Sequence, residues 1–92
     1  MLLIEWTASA RLDLLEILDY IAGRNEPASH QLFERIEQDV EHAAEHPYLF
    51  KSSQRVPGLR EIVTHPNYII FYQVTATSLK VVNVVHARRE FP

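Results

Sequence analysis

The chain of 92 residues is long enough for one compact domain and too short for two. Hydrophobic residues make up 47% of it and charged residues 23%, proportions that argue against disorder along the whole chain. The absence of cysteine excludes disulfide bonds and thiolate metal sites. No apolar run approaches the roughly 20 residues of a membrane helix, and the start of the chain lacks the basic region of a signal peptide, so we expect a soluble cytoplasmic protein.

The net charge of −3 conceals two halves of opposite charge. Residues 1–46 carry three arginines and ten acidic residues, whereas residues 47–92 carry six basic and two acidic residues. Such a separation indicates a basic surface for an acidic partner. It is equally typical of a fold in which acidic, solvated helices pack on a sheet edged by ordinary positive side chains.

The N-terminal half predicts a short strand followed by two helices. The apolar run of residues 2–6 indicates the strand, and Thr7 is a suitable N-cap for a helix over about residues 8–23. Apolar residues at steps of three and four form one stripe on this helix: Ala10, Leu14, Ile17, Leu18 and Ile21. A second stripe predicts a helix that is capped by Asn25 and ends at His46, and the short link between the helices predicts an antiparallel hairpin.

The C-terminal half predicts a loop and three strands. Two prolines and a glycine punctuate residues 47–58, whereas residues 59–65, 68–74 and 79–86 are rich in β-branched and aromatic side chains. The strand 68–74 is nearly continuous in apolar residues, so we expect it to be central and buried on both faces. The order β-α-α-β-β-β predicts an α+β domain over residues 1–92, in which the helical hairpin packs on one face of an antiparallel sheet.

Histidines are the first candidates for chemistry. His42 and His46 lie one helical turn apart, a spacing that can bind a metal ion, but two histidines near a helix C-terminus are more often surface residues that the helix dipole stabilises. We therefore predict no metal site, and with only two glycines and no phosphate-binding motif the chain predicts no cofactor. His65 and His86 end two predicted strands, where they could meet as acid and base or simply form hydrogen bonds to nearby loops.

Arginines near the predicted strands are the candidate contacts for an acidic partner or a phosphate: Arg60, Arg88 and Arg89. We expect Arg60 and His86 to be neighbours if their strands flank the middle strand on the same face. The alternative is intramolecular, with Arg60 pairing in the neighbourhood of Glu61 or with Arg88 and Arg89 simply solvated. Phe91, near the end of the chain, is the aromatic residue best placed for a partner contact.

Three stretches of the C-terminal half form a recognisable pattern, namely Pro-Gly-Leu-Arg-Glu from Pro57, Asn-Tyr-Ile-Ile-Phe-Tyr from Asn67 and Val-Val-His-Ala-Arg-Arg from Val84. They resemble the C-terminal half of the ParE-type toxins of the ParE/RelE superfamily, and the resemblance covers nearly the whole chain. The N-terminal Trp-Thr-x-x-Ala-x-x-Asp-Leu from Trp6 is a weaker match. The resemblance implies the same fold and a toxin of a type II toxin–antitoxin module, neutralised by a cognate antitoxin in a hetero-oligomeric complex.

The resemblance implies one of two activities. RelE-like members cleave mRNA on the ribosome with positive and acid/base groups, whereas ParE-like members inhibit DNA gyrase by binding it. RelE-like nucleases typically carry an arginine where this chain has Ile69, and a tyrosine near the C-terminus where this chain has Phe91. Each positioned acid or base contributes about 10²–10⁴-fold to a rate, so the resemblance implies a toxin that acts by binding. The implied target contacts are Arg60, His86, Arg88, Arg89 and Phe91.

Two other functions stay open. A ribosome-dependent mRNA endonuclease of unusual composition would use Arg60, His65, His86 and Arg88 as its catalytic groups, although the acidic overall charge is unfavourable for a ribosome binder. An inactive interaction module would bind a partner and have no effect on growth.

Overall fold

Two helices and four strands make up the fold, which a computed structural model describes over residues 1–64 and 67–88. The elements are β1 (Leu3–Trp6), α1 (Ala8–Ala22), α2 (Glu26–Glu45), β2 (Arg60–Thr64), β3 (Tyr68–Val74) and β4 (Ser78–His86). The predicted element order and α+β class are confirmed. Within the described residues, neither helix has the length and hydropathy needed to cross a membrane.

The four strands form one sheet in the order β1-β4-β3-β2. Antiparallel pairing joins β2 to β3 and β3 to β4, as predicted, but β1 pairs in parallel with β4, from Leu3 beside Ser78 to Trp6 beside Val81. The sheet is therefore mixed, rather than wholly antiparallel as expected. Short connections impose antiparallel pairing on the last three strands, whereas the whole helical hairpin separates β1 from β2 and leaves the direction of β1 free.

Both helices begin where a side chain caps them. The Thr7 hydroxyl accepts a 3.0 Å hydrogen bond from the backbone N–H of Ala10 and donates a 2.8 Å bond to the carbonyl of Val82 on β4. Asn25 caps α2 in the same manner, through the backbone N–H of Ala28 at 3.1 Å. The first cap therefore does more than start a helix, because it also ties α1 to the sheet.

Replacing Thr7 with alanine should lower the free energy of unfolding by about 1–2 kcal/mol, since an N-cap and a second hydrogen bond are lost together. Thr7→Ser keeps the hydroxyl and should have a markedly smaller effect. Urea denaturation followed by circular dichroism measures both. Equal losses in the two variants would show that the methyl group of Thr7, and not its hydroxyl, stabilises this junction.

The main core lies between the helical hairpin and the sheet. Ile36 and Ala43 on α2 are inaccessible to solvent, and β3 contributes Ile70 and Tyr72. The predicted stripe of α1 packs on the same core, but Ala10 is its fully buried member. The other residues of that stripe are half-buried: Leu14, Ile17, Leu18 and Ile21. The helix α1 thus lies at the margin of the core.

The strand β3 is buried on both faces, as predicted for a central strand. Ile69 and Phe71 point away from the helices and pack with Val85 of β4. Residues 46–59, called the α2–β2 loop below, contribute Val56 and Leu59 to this second cluster. The loop is therefore a packed part of the fold.

Candidate functional site

The structure places Arg60 and His86 at opposite ends of the sheet. Arg60 is paired with Tyr72 on β3, whereas His86 is paired with Tyr68, four residues earlier on the same strand. At about 3.3 Å per residue, roughly 13 Å of strand separates the two pairs. The expectation that they are neighbours was wrong, because β2 and β4 run in the same direction and Arg60 begins one strand while His86 ends the other.

Arg60 is engaged within the chain. Its Nη1 donates a 2.7 Å hydrogen bond to the carbonyl of Phe50, and its guanidinium lies 4.8 Å from the centre of the Tyr48 ring. Beside it, the Tyr72 hydroxyl donates a 2.8 Å hydrogen bond to the carbonyl of Pro47. Burial raises the pKa of Tyr72, although the positive charge of Arg60 acts in the opposite direction. These contacts fix the first part of the α2–β2 loop against the sheet, so Arg60 is bound within the chain, to this loop.

A buried carboxylate holds the second part of the α2–β2 loop. Glu61 on β2 is 4% exposed and accepts hydrogen bonds from Ser53 at 2.9 Å and from Arg55 at 3.1 Å. The ammonium group of Lys51 lies 3.6 Å from the same carboxylate. Lys51 and Arg55 are two of the six basic residues in the second half of the chain, and no local feature of the sequence indicates that a carboxylate on β2 binds both.

The other end of the sheet brings Tyr68, His86 and Arg88 together. The His86 ring meets the Tyr68 ring nearly edge-on, with 5.3 Å between the ring centres. The Nδ1 atom of His86 accepts a 3.1 Å hydrogen bond from the backbone N–H of Arg88. Burial raises the pKa of Tyr68, and the neighbouring Tyr20 raises it further. The side chains of His86 and Arg88 are exposed, so both are accessible to a partner.

The helix α1 adds acidic groups to this end of the sheet. Asp13 accepts hydrogen bonds of 2.9 and 3.0 Å from the Asn83 side chain and from the backbone N–H that follows it. Asp13 and Glu16 line an open cavity of about 450 Å³ together with His86 and Arg88. Charges of both signs therefore meet here, and the charge separation along the chain does not predict this because the carboxylates belong to the opposite half of the chain.

Some predicted residues fall elsewhere. His65, Arg89 and Phe91 lie outside the described ranges 1–64 and 67–88, so the roles proposed for them stay predictions. The rings of His42 and His46 are 5.4 Å apart at the end of α2. In the part of the chain that the structure describes, no group of three or more histidine or acidic side chains could hold a metal ion.

The position at which RelE-like nucleases are expected to carry arginine is buried in this protein. Ile69 is 1% exposed and packs with Phe71 and Val85, and Val56 and Leu59 of the α2–β2 loop pack against the same cluster. A charged side chain would be costly in such a setting unless it were paired. This part of the sheet is thus occupied by apolar packing.

Comparisons with known proteins agree with the fold. The family model described as "ParE toxin of type II toxin-antitoxin system, parDE" matches residues 4–91. Toxin RelE2 of Caulobacter vibrioides is 32% identical over 84 residues, which cover 91% of this chain and 93% of that protein. The structure of a chromosomal ParDE system from P. aeruginosa matches with a TM-score of 0.79 at 19% identity, covering 94% of this chain and 96% of that one. YafQ from E. coli matches with a TM-score of 0.63 at 15% identity, covering 95% of this chain and 94% of that one. The chain therefore belongs to the ParE toxin family of type II toxin–antitoxin systems.

Proposed function

We propose that the protein arrests growth by binding DNA gyrase, in the manner of ParE-like toxins, and that a cognate antitoxin neutralises it in a hetero-oligomeric complex. The burial of Ile69 carries the preference for binding over RNA cleavage, because an apolar cluster stands where RelE-like nucleases typically carry an arginine. The family match and the structural similarity to a ParDE system support the second part of the proposal, that a cognate antitoxin binds the protein.

The proposed target-binding surface is the C-terminal end of the chain, with His86, Arg88, Arg89 and Phe91. The exposed Arg88 offers a planar donor fork that suits the carboxylates of an acidic partner. Arg60 would contact the target only at a second position, away from this surface, because its guanidinium is bound to the α2–β2 loop at the opposite end of the sheet.

The test compares gyrase with the ribosome. Purified protein is added to gyrase with relaxed plasmid DNA, and separately to translating ribosomes that carry a reporter mRNA. We expect inhibited supercoiling, intact mRNA, and recovery of gyrase activity when the cognate antitoxin is added. Cleaved mRNA with unaffected gyrase would contradict the proposal, and no effect in either assay by folded protein would favour the inactive module.

A ribosome-dependent endonuclease is the second candidate, and the contact between Tyr68 and His86 favours it. The two rings are in edge-on contact, and a phenol and an imidazole can serve as acid and base. Toxin RelE2 is 32% identical to this chain over 84 residues. The other groups of this candidate would be Arg60, His65 and Arg88, but the first of these lies far from His86. If mRNA is cleaved, His86→Ala and Tyr68→Phe should each abolish cleavage.

A further inference from the structure

The helix α1 carries a second, mainly apolar stripe on the side away from the core. Ala8, Leu12, Leu15, Asp19 and Ala22 recur at steps of four and three, and all five are exposed. Leu12 is 57% and Leu15 is 66% exposed, and neither packs into either hydrophobic cluster. The stripe is therefore an unpartnered helix face in the part of the chain that the structure describes.

This stripe is complementary to itself. Relative to Leu15, the exposed Ala8 and Ala22 lie seven positions to either side, and the exposed Arg11 and Asp19 lie four positions to either side. Leu12 and Leu18 lie three positions to either side, but Leu18 is half-buried and packs on the main core. In a contact with two-fold symmetry, a residue i of one copy meets j of the other, and j meets i. Two such helices paired antiparallel about Leu15 would set Leu15 against Leu15, alanine against alanine, and Arg11 against Asp19 at both ends. Leu12 would face the half-buried Leu18 at the edge of the contact.

We propose that α1 binds α1 of a second copy of this chain, as an antiparallel helix pair centred on Leu15. The terminal alanines let the helix ends approach closely, and the leucines fill the centre. Arg11 and Asp19 form no ion pair with any described residue, so both are available to the second copy. Such an exposed ion pair contributes more to register and specificity than to affinity.

The charge pattern favours a second copy over a partner of one sign. A uniformly acidic or basic segment would be attracted at one end of the stripe and repelled at the other, whereas an antiparallel copy is attracted at both. The helix has 15 residues and is about 22 Å long. Interfaces below about 1,200 Å² are typical of weak, transient complexes, so we expect a reversible dimer with micromolar or weaker affinity.

Sedimentation equilibrium of the full chain over a wide range of micromolar concentrations tests the proposal. We expect a monomer–dimer equilibrium that Leu15→Glu abolishes. Arg11→Asp and Asp19→Arg each place like charges together at both ends, and each should raise the dissociation constant about tenfold or more. The combined variant Arg11→Asp/Asp19→Arg exchanges the two charges and should restore the affinity of the wild type.

The matched control is Val63→Glu, which changes an apolar side chain of β2 that is 56% exposed and should leave the dissociation constant unchanged. Circular dichroism melts establish that each variant is folded. A wild-type chain that stays monomeric, a dimer that survives Leu15→Glu, or a charge exchange that fails to restore association would each overturn the proposal. None of these outcomes depends on the cellular target of the toxin.

Discussion

Glu61→Ala should lower the free energy of unfolding by about 2–3 kcal/mol, because charge-assisted hydrogen bonds to a buried carboxylate are lost. Ser53 and Arg55 lose their shared acceptor, and the α2–β2 loop loses its attachment to β2. The side chains of Arg55 and Lys51 are 41% and 72% exposed, so both can turn to water, which keeps the loss below that of a fully buried ion pair. Urea denaturation measures the change.

A local readout separates this effect from general destabilisation. Hydrogen exchange should become faster in the Glu61→Ala variant than in the wild type, and this increase should be larger in the α2–β2 loop than in the helices. Glu41→Ala, which removes an exposed carboxylate from α2, should stay within about 0.5 kcal/mol of the wild type. If Glu61→Ala were as harmless as Glu41→Ala, the carboxylate would not be what holds the loop.

Helix positions could be predicted from the sequence because their signals are local. Thr7 and Asn25 each cap a helix within three residues of their own position, and both caps form as expected. The run from Tyr68 to Val74 also identified the central strand, since a strand that is buried on both faces needs apolar side chains at almost every position. These features depend on neighbours along the chain.

The candidate site could be predicted only in part, because its contacts join distant segments. Nothing near Arg60 indicates that the Phe50 carbonyl and the Tyr48 ring would engage its guanidinium. Nothing near Asp13 indicates that it would accept hydrogen bonds from β4. Charge counted along the chain likewise overestimated the basic surface, because Lys51 and Arg55 are bound to Glu61.

Loss of growth arrest is the second large effect that we expect, in the double variant Arg88→Ala/Arg89→Ala. If these arginines contact an acidic target surface, each substitution removes a charge-assisted contact of about 1.5–3 kcal/mol, which corresponds to a ten- to hundredfold loss of affinity. His86→Ala should weaken arrest less, because the imidazole Nδ1 already accepts a hydrogen bond from the backbone of Arg88. Induced expression of each variant in a bacterial host, with growth followed over time, measures the effect.

Fold and expression must be matched before the growth curves are compared, by thermal melts of the purified variants and by their soluble amounts in the cell. Lys80→Ala serves as a control, since it removes a positive charge from β4 at a position remote from the chain end and should leave arrest intact. The pattern distinguishes binding from catalysis. A toxin that acts by binding is inactivated when the charges of its binding surface are removed, whereas a nuclease is inactivated when its acid or base is removed. Should His86→Ala alone abolish arrest while the arginine pair proves dispensable, the gyrase-binding proposal would be wrong and the endonuclease would become the better account.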